Sequence, residues 1–152
     1  MILNDVLTKQ NVFTKIILKD GEKELSKELK VKIMRIRMAY TKAKKNFDAE
    51  VQEFTEELVT DEFKELSNKT DKTPEEEVRF NELNTSINSE YQEFLIQKGK
   101  EEVTINIDDT LTIEEYSDIL DINAGNDVEF NGHKISAVDF MEIIYDLFVK
   151  ED

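Results

Sequence analysis

The chain contains no cysteine and no tryptophan, one proline, one histidine and four glycines. Without cysteine there is no disulfide framework and no thiolate metal site. A helical Glu-x-x-His metal motif is excluded, because the sole histidine, His133, has Phe130 three residues before it. Four glycines leave no material for phosphate-cradling loops, and neither G-x-x-x-x-G-K-[ST], G-x-G-x-x-G nor G-x-S-x-G occurs. So few glycines and prolines also mean few tight turns, which favours long helices. No apolar run approaches the roughly 18 residues that cross a bilayer. The opening stretch MILNDVLTKQNVFTKIILKDGEKEL carries a charge every few residues and has no signal-peptide h-region. These absences lead us to expect a protein that is neither secreted nor membrane-inserted.

Charge is plentiful. Of 152 residues, 35 are Asp or Glu and 20 are Lys or Arg, a net charge of −15 that opposes general binding to nucleic acid. The distribution is segmented. Residues 23–47 hold nine Lys/Arg against two Glu, residues 48–65 hold eight acids against one Lys, and residues 101–152 hold fifteen acids against two Lys. Solvated helix faces account for such blocks; so does pairing of opposite segments within the fold or between copies. Nine Phe and four Tyr supply packing material, so wholesale disorder is not expected.

Residues 2–18 read as a short helix or a helix plus strand, broken at Asp20-Gly21. From about residue 23 a long amphipathic helix is expected. Its apolar stripe runs Leu29, Ile33, Ile36, Tyr40, Ala43, Phe47, Val51, Phe54, Leu58, with a mean step of about 3.6 residues. If it continues past Thr60-Asp61 to residue 67, it is roughly 65 Å long. NKTDKT, residues 68–73, is a polar turn. Thr73, Pro74 and Glu76 then form a capping box with proline at N1. The second helix carries Phe80, Leu83, Ile87, Tyr91 and Phe94 on one face to about Lys98, and Gly99 closes it. Two one-striped helices joined by a short loop predict an antiparallel hairpin.

After Gly99 the period changes. Val103, Ile105 and Ile107 alternate as in a half-buried strand, which Leu111 and Ile113 extend. Thr112 and Glu115 make a second capping box. VEF-NG-HKI is a β-hairpin signal around Asn131-Gly132. Ser136 caps a last helix in which ten of the residues 137–149 are apolar and Asp139, Glu142 and Asp146 form one acidic stripe. Such a helix needs cover on nearly all sides, either from its own domain or from a partner chain.

The expected fold class is α+β, predominantly α. A long antiparallel helical hairpin is followed by a small β-hairpin-plus-helix C-terminal unit. The expected divisions are an N-terminal segment 1–22, the hairpin 23–99, and an acidic docking unit 100–152.

The chemistry reads thin. His133, Ser136 and Asp139 lie within seven residues, but Ser136 and Asp139 already have work as a helix cap. DINAGNDVEFNG, residues 121–132, lacks the glycine and the terminal glutamate of a calcium loop, since Asn126 and Gly132 stand there. Asp108-Asp109 is an acid pair at a strand end. Catalytic, cofactor and metal residues are therefore assigned to none. The basic stripe Lys23, Lys27, Lys30, Arg37, Lys44, flanked by Lys32, Arg35, Lys42 and Lys45, suits an acidic protein surface better than nucleic acid, because no aromatics interleave with it.

The pieces KELKVKIMRIRMAYTKAKKNFDAEVQEFTEEL, EEVTINIDD and FNGHKISAVDFMEIIYDLFVKED, in that order, resemble small tailed-bacteriophage accessory proteins encoded near structural genes. The resemblance implies a virion or assembly role in a phage particle or the host cytoplasm, and transfers no catalytic residue. The expected function is non-enzymatic: docking on phage structural proteins or on further copies of the chain. The candidate contacts are Val138, Phe140, Met141, Ile144, Tyr145, Leu147 and Phe148 on the last helix, and Lys30, Arg37 and Lys44 on the basic one. The alternative is an acidic mimic of nucleic acid that inhibits a host nuclease or defence protein. It requires the acids on one continuous exposed face.

Overall fold

A computed structural model describes residues 1–150. Among them the order is α1 (Leu3–Lys15), β1 (Lys19–Asp20), β2 (Lys23–Glu24), α2 (Lys27–Leu58), α3 (Asp61–Asn68), α4 (Pro74–Gly99), α5 (Ile113–Asn123), β3 (Val128–Phe130), β4 (His133–Ile135) and α6 (Ala137–Phe148). The class is α+β, predominantly α, with two separate two-stranded antiparallel ladders.

Local chemistry sets most boundaries. Gly21 takes a positive φ of 63° between β1 and β2, and Asn131 and Gly132 take 53° and 77° between β3 and β4. The side chains of Ser26, Thr60, Thr73, Thr112 and Ser136 each accept the N–H three residues on, at the start of α2 to α6 in turn. At Thr73 and Thr112 the capping box is complete, because Glu76 and Glu115 accept the cap residue's own N–H.

Two expectations about the long helix change. It begins at Lys27, four residues later than expected, because the chain first makes the β1–β2 ladder and Ser26 then caps it. It ends at Leu58 because Val59 is extended and Thr60 caps a separate helix, so α2 spans 32 residues, about 48 Å. Gly99 also acts differently. It is the last residue of α4, followed by Lys100 in an αR cap. Its value is closeness, since a Cβ there would lie 2.4 Å from the Asn4 side chain.

The strand expected at residues 103–107 does not form a ladder. Val103, Ile105 and Ile107 alternate inward and pack on the core, but no strand lies beside them. The segment is anchored at its ends, where Val103 N–H donates to Met1 O at 2.7 Å and Leu111 N–H to Phe148 O at 2.8 Å. Nor does Ile113 extend it: Ile113 opens α5 and is exposed.

One core gathers residues from all three expected divisions: Val6, Phe13 and Ile16; Leu29, Ile33, Ile36 and Tyr40; Leu111, Ile119, Phe140, Ile144 and Phe148. The divisions 1–22, 23–99 and 100–152 are therefore corrected. The first half of α2 belongs to a head with α1, α5, α6 and both ladders. Beyond Tyr40, α2 leaves the head and pairs antiparallel with α4, with α3 packed on α4 toward the tip. Phe54 stacks on Phe94 at 4.0 Å, Phe63 stacks on Phe80 at 5.3 Å, and Glu50 meets Lys98. This is the hairpin read from the sequence, now an arm inserted between two halves of the head.

Candidate docking surface

The apolar residues of α6 are mostly spent on the head itself. Phe140 and Ile144 are fully buried, as nearly are Met141 and Phe148. Phe148 packs on Phe13 with ring centroids 4.3 Å apart, and Tyr145 meets Tyr116 edge-on at 5.3 Å. Leu147 is half-buried against the same core. Phe140, Met141, Ile144, Leu147 and Phe148 are thus corrected as docking residues. The cover comes from α5, through Tyr116, and from α1, through Phe13, in a core that also buries Val6, Val12 and Ile16. Val138 alone of the α6 set stands out, 65 % exposed.

The three cations singled out on α2 are also occupied. Arg37 Nε donates to Phe13 O at 2.7 Å, and its terminal nitrogen donates to Ile16 O. Phe13 O also accepts the Ile16 N–H at 3.4 Å, so Arg37 adds a second bond at the end of α1 and one to the residue that follows it, as a C-terminal cap brought in from another helix. Burial pulls its pKa down. Lys30 pairs with Glu24, and Lys44 with Asp48 one turn away at 2.7 Å. Lys30, Arg37 and Lys44 are accordingly corrected from a shared free stripe to three internal contacts.

Other cations stitch segments of opposite charge together. Lys9 Nζ and the Tyr40 hydroxyl both donate to Asp109, at 2.8 and 2.6 Å. Burial, then the Asp109 bond, raises the Tyr40 pKa. Lys32 donates to Thr110 O at 2.6 Å and to Glu115 at 2.7 Å. Burial alone would raise the Glu115 carboxyl, but the bonds from Lys32 and from the Thr112 N–H outweigh it and hold its pKa below the ordinary value.

What remains is the side of α2 opposite the core. Lys27, Arg35, Lys42 and Lys45 are exposed, and none has an ion-pair partner among the described residues. Between them lie Val31, Met34 and Met38, respectively 41 %, 45 % and 67 % exposed. At 3.6 residues per turn all seven fall within an arc of about 100°. Val31, Met34 and Met38 are not part of the basic stripe expected from the sequence. The signal was available, since they occupy the helix face opposite Leu29, Ile33, Ile36 and Tyr40.

The remaining chemistry is sparse. His133 is exposed and pairs across the ladder with Phe130. Ser136 Oγ accepts the Asp139 N–H at 3.2 Å, as a helix cap does. Among the described residues no group of three or more His, Cys, Asp or Glu side chains is placed to hold a metal ion, and no helix is long and apolar enough to cross a membrane. Comparison with family models, with curated proteins and with solved structures finds no match to this chain.

Proposed function

We propose that the chain is a non-enzymatic docking protein that binds another protein through the outer face of α2. The observation that carries this is the coincidence of four unpaired cations with Val31, Met34 and Met38 on one helix face. A face kept only for solubility has no use for two exposed methionines. Flexible thioether side chains adapt to irregular apolar partners, while the cations select an acidic one and steer its approach. The arm holds the tip of the molecule away from the head and gives a second point of attachment. Within this proposal falls the setting that the bacteriophage resemblance implies, a virion or assembly component whose partners are structural subunits or further copies. Nucleic acid suits the face less well, since methionines occupy the positions where phosphate contacts would be expected. The inhibitor reading has less support, because Glu101, Glu102, Asp109, Glu115, Asp121 and Asp127 are in ion pairs, and the exposed acids outside those pairs, such as Glu114, Glu129 and Asp146, stand on three separate elements, α5, β3 and α6.

The test is a photo-reactive side chain placed at Met38 and, as control, at Asn81 on the exposed side of α4. It is applied in cells producing the chain from its native genetic context, with adducts identified by mass. Protein adducts at position 38 and none at position 81 are the expected result. Nucleic-acid adducts at 38, or none at all, overturn the proposal.

A further inference from the structure

We propose that the occupant of the α2 outer face is a second copy of this chain, presenting the acidic hollow beside α5. The proposal rests on the reading of α2 as a docking surface and names its partner. The receiving surface is a hollow of about 870 Å³ between α5 and the β1–β2 ladder, bordered by Ser117, Leu120 and Asp121 on one side and Asp20, Glu22 and Lys23 on the other. Its rim carries three acids, Asp20, Glu22 and Asp121, against one cation, Lys23, which pairs with Asp121 at 3.4 Å, and its exposed apolar contact is Leu120, 37 % exposed. One helical row leads into it, Ile113, Ser117 and Leu120, with Ile113 56 % exposed and Glu114 and Asp118 on its flank. Neither Glu114 nor Asp118 has an ion-pair partner among the described residues.

The two surfaces are opposite in sign, and each carries an apolar row on a helix. The donor is a cationic ridge whose longest apolar side chains, Met34 and Met38, are unbranched and able to enter a hollow. The receiver is an acidic hollow with an apolar lip. Val31 to Met38 and Ile113 to Leu120 are both seven-residue intervals, about 10.5 Å of helix each. A chain of net charge −15 repels its own copies at a distance, so close approach requires a region where the sign reverses. The α2 outer face is such a region. Because ridge and hollow are different surfaces, the contact is heterologous, and each copy keeps one surface to offer.

Sedimentation velocity of the full chain, over a wide concentration range at low and at high salt, tests the idea. The ridge variant is Met34→Asp with Met38→Asp; the hollow variant is Leu120→Arg with Asp121→Arg. All four positions are exposed, and circular dichroism verifies that each variant is folded. The wild type is expected to self-associate and to dissociate as salt rises. Each variant alone is expected to associate about tenfold more weakly or worse. An equimolar mixture of the two is expected to recover a one-to-one complex, because each supplies the surface the other lacks. A wild type that stays monomeric throughout, association untouched by either variant, or a mixture that stays monomeric would each overturn the proposal. If the wild type is monomeric while position 38 still cross-links to a foreign acidic protein, the second-copy inference falls and the docking function stands. Absence of any adduct at position 38 removes both.

Discussion

The head and the arm are written in the same periodic code and packed to different depths. Along α2 the apolar stripe steps evenly from Leu29 to Leu58. In the head, Ile33, Ile36 and Tyr40 on that stripe are at most 1 % exposed, whereas Phe47, Val51, Phe54 and Leu58 in the arm are only half-buried. The difference lies in what surrounds the stripe. In the head it meets a core shared with α1, α5 and α6; in the arm it meets mainly α4, through the Phe54–Phe94 stack. Periodicity states which side of a helix is covered, and the rest of the chain states how thickly.

Substitutions that remove equal volume from the two regions expose this contrast most strongly. Phe140→Ala in the head is expected to cost about 3–5 kcal/mol in denaturant unfolding. Phe54→Ala in the arm forfeits a half-buried ring and its stacking partner, and about half that loss is expected. Equal losses would mean that the arm is packed as deeply as the head.

Arg37→Met gives the next largest effect. It keeps the aliphatic stem and removes the bonds to Phe13 O and Ile16 O, so a loss of about 2–3 kcal/mol is expected. Hydrogen exchange should quicken at the end of α1 and stay unchanged in the arm.

Thr73→Ala reverses the location. Loss of the α4 cap is expected to cost about 1 kcal/mol, seen as faster exchange over the first turn of α4 with the head unaffected.

The smallest expected effect is on pH dependence. Glu115 has a lowered pKa in the folded head, so it stabilises the fold above the ordinary glutamate value of 4.5, and that stabilisation is lost as pH falls through its lower folded value. Glu115→Gln should therefore narrow its stability gap from the wild type as pH drops below 4.5. A gap that widens in acid would contradict the assignment.

Much of the architecture was legible in the sequence because it is set locally. Thr73-Pro74, Thr112, Ser136 and Asn131-Gly132 each declare a boundary through groups within a few residues, and each lies where expected. What was not legible depends on groups far apart in the chain. Phe148 is covered by Phe13, more than a hundred residues away, in a core that also takes in Val6. The alternation at Val103, Ile105 and Ile107 reports one-sided burial faithfully, but a strand also needs a neighbour, and periodicity does not supply one. The candidate site was hidden in part for the same reason, since Arg37 finds its partners at the end of α1, while Lys30 and Lys44 find theirs within six residues. Lys30, Arg37 and Lys44 could not be told from Lys27, Arg35, Lys42 and Lys45 until Glu24, Asp48 and the end of α1 were seen to claim the first three.

Asn123 shows how closely the ends of the chain are bound together. Its side chain accepts the Ile17 N–H at 2.9 Å and donates to Ile17 O at 3.1 Å, so a buried amide stands in for a missing strand across more than a hundred residues. Contacts of that sequence separation are the slowest for a chain to find, because the intervening loop must first be closed. The arm shortens the search. Once Glu50 meets Lys98 and Phe54 meets Phe94, the residues between them no longer count as loose chain, and α5 and α6 are delivered close to the first half of α2. The arm is thus a splint across the chain, whose paired helices hold the two halves of the head's sequence side by side.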